Sequence, residues 1–326
     1  MTNRRQFLIA AAGVTLGLTL APWLRVHAAH ATGRIICGTP GLVGKRLADG
    51  MATLVNNDPA LDYNVETIDR DNTREAVRMV RSAVADGTVL LQTHSGPLVI
   101  APAVYSKLAY SPLDDFKPIA FLGDFGFGLF VGPAVPPSVT SVDEYLRWMR
   151  QNPDYRDIGF TQAGSQSHLL AMLLGRIRVA PTRPQAYQST LSLLNDLKTQ
   201  AIAGAIASTG SITEAEDAGI RLIAISSDEQ NPRLKSIPTF TAQGLGDMDQ
   251  RGWFGWFAPA GTADTLINDL SARAAALIST PAYASLQSDL LLTPATLSTN
   301  DIHERMRAEA LTYEGIVRAY GIPRLA

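Results

Sequence analysis

A chain of 326 residues, 46% apolar and 18% charged, can bury a sizeable core and has the length of about two domains. Lys and Arg number 28 against 30 Asp and Glu, and the net charge of -2 gives no footing for a nucleic-acid partner or a polyanionic surface. The single cysteine, Cys37, excludes an internal disulfide and any CxxC, zinc or haem motif built on paired cysteines.

The chain opens MTNRRQFLIAAAGVTLGLTLAPWLRVHAAHA. Arg4 and Arg5 precede an uncharged, mostly apolar run from Phe7 to Leu24. Small residues follow, and both Val26-His27-Ala28 and Ala29-His30-Ala31 fit an A-x-A cleavage site. The order Arg4-Arg5-Gln6-Phe7-Leu8 is similar to a twin-arginine export signal. Residues 1–31 are therefore expected to be a signal peptide cleaved near Ala28 or Ala31, and the protein to be periplasmic. A retained anchor is the alternative, because the run approaches the length that spans a bilayer.

After that segment, strand and helix patterns alternate. "RIICG" predicts a strand in which Cys37 is buried, and "VGKRLADGMATLVN" a helix. "YNVETID" alternates with period two. "NTREAVRMVRSAVA" is amphipathic, with Asn72 and Glu75 placed for a capping box. "TVLLQT" and "FGLFVG" are apolar strands. Ser141 and Glu144 cap "SVDEYLRWMRQN". "DIGF" and "QAY" are strands, each followed by a helix, and "IAGAIAS", "RLIAIS" and the aromatic "GWFGWFAP" are further strands. Three helices end the chain: "TADTLINDLSARAAALIS", "AYASLQSDLL" and "NDIHERMRAEALTYEGIVRAYG". This alternation predicts an α/β fold with mostly parallel sheets. "VGPAVPPS" and "APAGT" punctuate it at two places, which predicts two lobes joined by two crossing strands: a discontinuous first lobe, 32–130 and 253–326, and a second lobe, 131–252.

Two strand-to-helix junctions carry the candidate chemistry. "GFTQAGSQSHLLAMLLG" passes from a strand through small polar residues into an apolar helix. Ser165, Ser167 and His168 could form a nucleophilic site, but a G-x-S-x-G elbow and an acid to orient the histidine are missing. The alternative is a cradle. Helix heads carry unpaired N–H groups and positive potential, Gly164 allows close approach, and serine hydroxyls add donors, a combination suited to a carboxylate. A plain serine-capped turn is the third reading. "CGTPGLVGKRLADG" is the other junction, and it is neither a P-loop nor a dinucleotide fingerprint. His94 lies just past a strand end, where open α/β sheets place ligands. Trp253, Phe254, Trp256 and Phe257 serve either as core or as a pocket wall. His303 has no assigned role. No H-E-x-x-H and no carboxylate pair points to a metal or a cofactor.

Taken in order, these segments resemble the substrate-binding proteins of tripartite tricarboxylate transporters, the Bug-type receptors. "ADGTVLL" is similar to the family's P-D-G-Y-T-L-L. "APAVYSKLAYSPLDDFKPIAFLG" is similar to its N-P-x-L-Y-x-K-L-P-Y-D-P-x-x-D-F-x-P-I segment, and "GFTQAGSQSHLLAMLL" to Y-G-S-x-G-x-G-S-x-x-H-L-A. "AYQSTLSLLNDL", "IPTFTAQGL", "WFGWFAPAGT" and the C-terminal "GIP" also match. The resemblance implies a two-lobe periplasmic binding protein fold (type II-like), no enzymatic activity and no cofactor. It implies a small carboxylate held between the lobes, largely by backbone N–H groups, and delivery by a monomeric receptor to membrane transporter subunits. Carried over by motif, the first loop is Thr39, Gly41, Leu42, Val43 and Gly44. The second is Thr161, Ala163, Gly164, Ser165, Gln166, Ser167 and His168, with Tyr187 and Ser189 beside it. A signalling receptor and an exported serine hydrolase are the alternative functions.

The chain departs from the family in its loops, and two of the departures, at Lys45 and Ala203, remove acids. Leu42 and Lys45 stand in the P-G-G-x-x-D loop, Tyr187-Gln188-Ser189 replaces Y-K-G, and Gln200-Ala201-Ile202-Ala203 replaces G-x-V-D. Without those acids, an anionic or neutral ligand is expected rather than an amino acid, and Leu42 is expected to crowd the first loop.

Overall fold

The computed structural model describes residues 33–38, 41–58, 61–68, 70–71, 73–215, 218–226 and 233–326. The expected signal segment lies outside these residues. Strand β1 (Gly33–Gly38), helix α1 (Gly41–Asn56), β2 (Tyr63–Ile68), α2 (Arg74–Arg81) and β3 (Val89–His94) make two successive crossovers. β1 pairs in parallel with β2, Gly33 opposite Tyr63, and with β3, Arg34 opposite Val89. A π-helical turn, Gly96–Ile100, then runs through the short helices α3 (Ala101–Val104) and α4 (Pro112–Asp115) into β4 (Phe116–Phe125).

The chain next repeats the plan with β5 (Phe127–Val131), α5 (Val142–Gln151), β6 (Asp157–Thr161), α6 (Gln166–Ile177), β7 (Arg183–Tyr187), α7 (Thr190–Lys198), β8 (Gly204–Ser208), α8 (Ile212–Ala215) and β9 (Arg221–Ile225). It returns through β10 (Gly252–Pro259) and closes with α9 (Asp264–Ile278), α10 (Pro281–Asp289) and α11 (Thr299–Ala319). The two sheets have the orders β2-β1-β3-β10-β4 and β7-β6-β8-β5-β9. In each, four strands run one way and one opposes them: β10 is antiparallel to β3 and β4, and β5 to β8 and β9. The fold is thus α/β with two lobes and mostly parallel strands. The chain crosses between sheets at Gly126, which separates β4 from β5, and again between β9 and β10. The boundary expected after residue 130 falls inside β5, whose pairing with β8 and β9 assigns it to the second sheet.

Two local expectations are corrected. β4 was not foreseen, because "FKPIAFLGDF" contains Pro118 and Gly123. Both are tolerated because β4 is an edge strand, with its register against β10 shifted twice. Helix α2 starts only at Arg74, after Thr73 in the left-handed region and without a side-chain cap; Asn72 lies outside the described residues. The Ser141–Glu144 capping box on α5 is formed as expected. Cys37 is buried with its thiol pKa pushed up by desolvation.

Alternation along β10 puts Trp253 and Phe257 on one face and Phe254 and Trp256 on the other. Trp253 and Trp256 are fully buried, and their indole N–H groups donate to Glu309 Oε2 (2.9 Å) and Gln92 Oε1 (2.8 Å). They are core and not a pocket wall. Phe254 packs instead against Phe125, ring centres 4.8 Å apart, beside the Gly126 crossing.

Candidate ligand-binding site

Three long helices begin at one cavity of about 40 Å³. At the head of α1, Gly41 has φ +65°, and a Cβ there would stand 2.7 Å from Thr190 Oγ1, so both backbone and space require glycine. The next residue, Leu42, donates its N–H to the same Thr190 oxygen at 3.4 Å, which brings the head of α1 against the head of α7. Ser189 caps α7 by accepting from the Ser192 N–H at 3.1 Å. That leaves Thr190, not Ser189, facing the cavity.

The α6 head is built by a tight turn. Gly164 has φ +80°, and its neighbour Ser165 caps the helix by accepting from the His168 N–H at 3.2 Å. The hydroxyls of Ser165 and Ser167 lie 2.8 and 3.1 Å from the Thr161 carbonyl oxygen and 2.9 Å from each other. They are therefore spent on the turn instead of aimed at the cavity. What α6 presents is the N-terminal backbone, whose first N–H groups have no intrahelical acceptor.

Seven of the expected residues line the cavity: Gly41, Val43, His94, Thr161, Ser165, Gln166 and Ser167. Leu42, Gly44, Ala163, Gly164, His168, Tyr187 and Ser189 do not, and Thr39 lies outside the described residues. Tyr187 is turned away, its hydroxyl donating to Asp196 Oδ2 at 3.0 Å. Ala163 offers its carbonyl to the Tyr105 hydroxyl, 3.0 Å away, and a Cβ on Gly164 would strike that same ring. Gln162, within the loop from Thr161 to His168, and Phe254, for which a pocket wall is one reading, also line the cavity, and the positions that sequence reasoning missed are Phe125, Phe127, Thr190, Ala207 and Ser208. The phenylalanines gather at the Gly126 crossing, Phe125 and Phe127 having ring centres 5.3 Å apart. Repeated Phe-Gly around residue 126 is the signal that could have located them.

Both histidines are neutral parts of the scaffold. His94 is buried, and desolvation lowers its pKa to about 3. Its Nδ1 accepts the Gly96 N–H at 3.1 Å, which leaves Nε2 protonated to donate to Thr73 Oγ1 at 3.3 Å. His168 stacks on Phe160 with centroids 4.4 Å apart, and its Nδ1 accepts the Gly164 N–H at 3.1 Å. Burial lowers its pKa as well. The ring nitrogen nearest the turn is thus occupied by a backbone N–H, not by a serine hydroxyl that it could deprotonate.

Electrostatically, the lining carries no Lys, Arg, Asp or Glu among the described residues. Lys45 points to solvent and pairs with Asp49 at 3.0 Å, and Ala203 is buried beside β8. The field in the cavity is set by the heads of α1, α6 and α7. Gln166 ties helix α6 to the second crossing and to the first lobe: its Nε2 donates to the Arg251 carbonyl just before β10 (2.9 Å) and to the Tyr313 hydroxyl (3.0 Å), and its Oε1 accepts from Ser95 Oγ at 3.4 Å. Among the described residues no three His, Cys, Asp or Glu side chains gather to hold a metal, and no helix is long and apolar enough to cross a membrane.

Known proteins are similar to this chain in sequence and in fold. The protein BugT of Bordetella pertussis (strain Tohama I) is 24% identical over 241 residues, which cover 73% of this chain and 73% of BugT. An R. palustris protein solved with adipate superposes with a TM-score of 0.82 at 22% identity, covering 91% of this chain and 100% of its own. MatC from Rhodopseudomonas palustris with bound malate gives 0.78 at 21%, covering 88% and 98%. Residues 73–322 match the family described as "Tripartite tricarboxylate transporter family receptor". With a match over most of its length, the chain belongs to the tripartite tricarboxylate transporter receptor family.

Proposed function

We propose that the protein is a periplasmic receptor that captures a small carboxylate between its two lobes and delivers it to the membrane subunits of a tripartite tricarboxylate transporter. The observation that carries this reading is the convergence of three helix heads on one uncharged cavity. Helix N-termini favour anions through oriented N–H groups and the macrodipole, and a cavity shut off from water strengthens that interaction. The carboxylates bound by the R. palustris relatives agree with it. Residues 1–31 act as the export signal, cleaved near Ala28 or Ala31. The receptor works as a monomer, needs no cofactor and forms no covalent intermediate.

The lobes divide at the two crossings, 33–126 with 252–326 and 127–251, and closure about them traps the ligand. Gly41, Ser165, Gln166, Ser167 and Thr190 form the binding cradle. Among the described residues no acid lines the cavity to receive an ammonium group, so the ligand is read as an anion and not an amino acid. A thermal-shift panel of carboxylates and amino acids tests this. Stabilisation by at least one carboxylate and by no amino acid is expected, and stabilisation by amino acids alone would overturn it.

A further inference from the structure

Resting on that receptor reading and its division into lobes, we propose that Tyr105 is a positioning residue of the anion cradle: a first-lobe side chain that crosses the cleft and fixes the turn from which α6 starts. The turn is strained. Gln162 has φ +62° and Gly164 φ +80°, so two of its residues lie in the left-handed region, which is unfavourable for a glutamine. Such a backbone persists where its surroundings impose it. From within the second lobe, the Ser165 N–H donates to the Gln162 carbonyl at 3.2 Å, the Gly164 N–H donates to His168 Nδ1 at 3.1 Å, and the Ser165 and Ser167 hydroxyls hold the Thr161 carbonyl. From the first lobe, Tyr105 donates its hydroxyl to the Ala163 carbonyl at 3.0 Å. A Cβ on Gly164 would stand 2.5 Å from the Tyr105 hydroxyl oxygen and 2.7 Å from the ring, so the tyrosine takes the place of a side chain against the turn.

Tyr105 is held ready for this contact. The Arg74 guanidinium carbon lies 3.7 Å from the centre of its ring. Arg74 is fixed in turn by Asp71, donating to its carboxylate and, from Nε, to its carbonyl at 3.2 Å. The C-terminal tail pins the backbone on both sides of Tyr105: the Leu325 N–H donates to the Val104 carbonyl at 2.7 Å, and the Ser106 N–H to the Leu325 carbonyl at 2.8 Å. Arg324 adds bonds to the Pro102 and Ala103 carbonyls at 2.6 and 3.0 Å. A side chain clamped at ring and backbone loses little freedom when it bonds the other lobe. The turn it meets sets the direction of the α6 N–H groups that face the ligand, so the Tyr105–Ala163 bond couples the approach of the lobes to the shape of the cradle.

Hydrogen–deuterium exchange of the ligand-free protein, wild type against Tyr105→Phe, tests the proposal. Phenylalanine keeps the ring under Arg74 and removes one hydrogen bond. Amides of residues 163–168 are expected to exchange about fivefold faster in the variant, as loss of one neutral hydrogen bond predicts, while those of β3 and β10 exchange as in the wild type. Unchanged exchange at 163–168, or an increase shared by β3 and β10, would overturn the positioning role. Calorimetric titration with malate, adipate and butyrate is the second arm. Each acid that binds the wild type is expected to bind Tyr105→Phe about fivefold more weakly at unchanged stoichiometry, and equal affinities would also overturn the proposal. If none of the three binds the wild type, the carboxylate reading fails, and the exchange rates still decide the role of Tyr105.

Discussion

His94 shows how a residue that reads as chemistry in sequence becomes structure in the fold. Its position after β3 does bring it to the cavity, but burial drives its pKa to about 3, and its hydrogen bonds make it a neutral strut between Thr73 and Gly96. The consequence for stability has a definite sign. The folded state refuses a proton that the unfolded chain takes up below about pH 6.5, so stability is full above that pH and declines as pH falls towards 3. The slope reaches about 1.4 kcal/mol per pH unit, and His168, also lowered, adds in the same direction. Urea denaturation between pH 7 and 4 is expected to show a shallower slope for His94→Gln than for the wild type; equal slopes would mean that His94 titrates in the folded protein. Ser165 and Ser167 teach the same lesson: their hydroxyls close the turn on Thr161, and the N–H groups behind them are what remains for a ligand.

Helix α11 ties the two crossing strands together. Its Arg305 reaches Asp124 at the end of β4 (2.5 Å) and Glu309 one turn later (2.7 Å), and its guanidinium lies over the rings of Phe121 and of Trp253 in β10. Glu309 also accepts the Trp253 indole N–H, yet burial still raises its carboxyl pKa. Side-chain exposures of 24%, 12% and 22% for Arg305, Asp124 and Glu309 place the group beyond the weak surface class. Arg305→Ala leaves two acids facing each other without a cation and is expected to cost about 3 kcal/mol in urea denaturation, at the low end for buried pairs because water still reaches it. A loss below about 0.5 kcal/mol would show that solvent screens the cluster. None of this was legible locally, because Asp124 and Arg305 are far apart in sequence. The strands and long helices were legible, since period-two and amphipathic patterns such as "YNVETID" and "SVDEYLRWMRQN" are local. β4 was hidden by Pro118 and Gly123, which only its edge position excuses. Likewise the two Gly- and Ser-rich junctions announced the cradle, whereas Thr190 and the Phe125–Phe127 pair reach the cavity only through the crossover of the chain.

Across the whole molecule, several polar bonds among the described residues join the two lobes around the cavity. Arg46 in α1 pairs with Glu214 in α8 at 3.0 Å, Tyr105 donates to Ala163, Leu42 donates to Thr190, and Gln166 spans to Tyr313. These polar bonds stand beside a buried apolar cluster that contains residues of both lobes. In this account the ligand's negative charge, facing helix heads in a cavity without cations, supplies the remaining closure energy. The most direct test is calorimetric titration of the wild-type protein with butyrate and with butyramide, which share shape and size but differ in charge. Butyrate is expected to bind at least about 100-fold more tightly than the amide; equal affinities, or tighter binding of butyramide, would contradict an anion cradle built from helix N-termini.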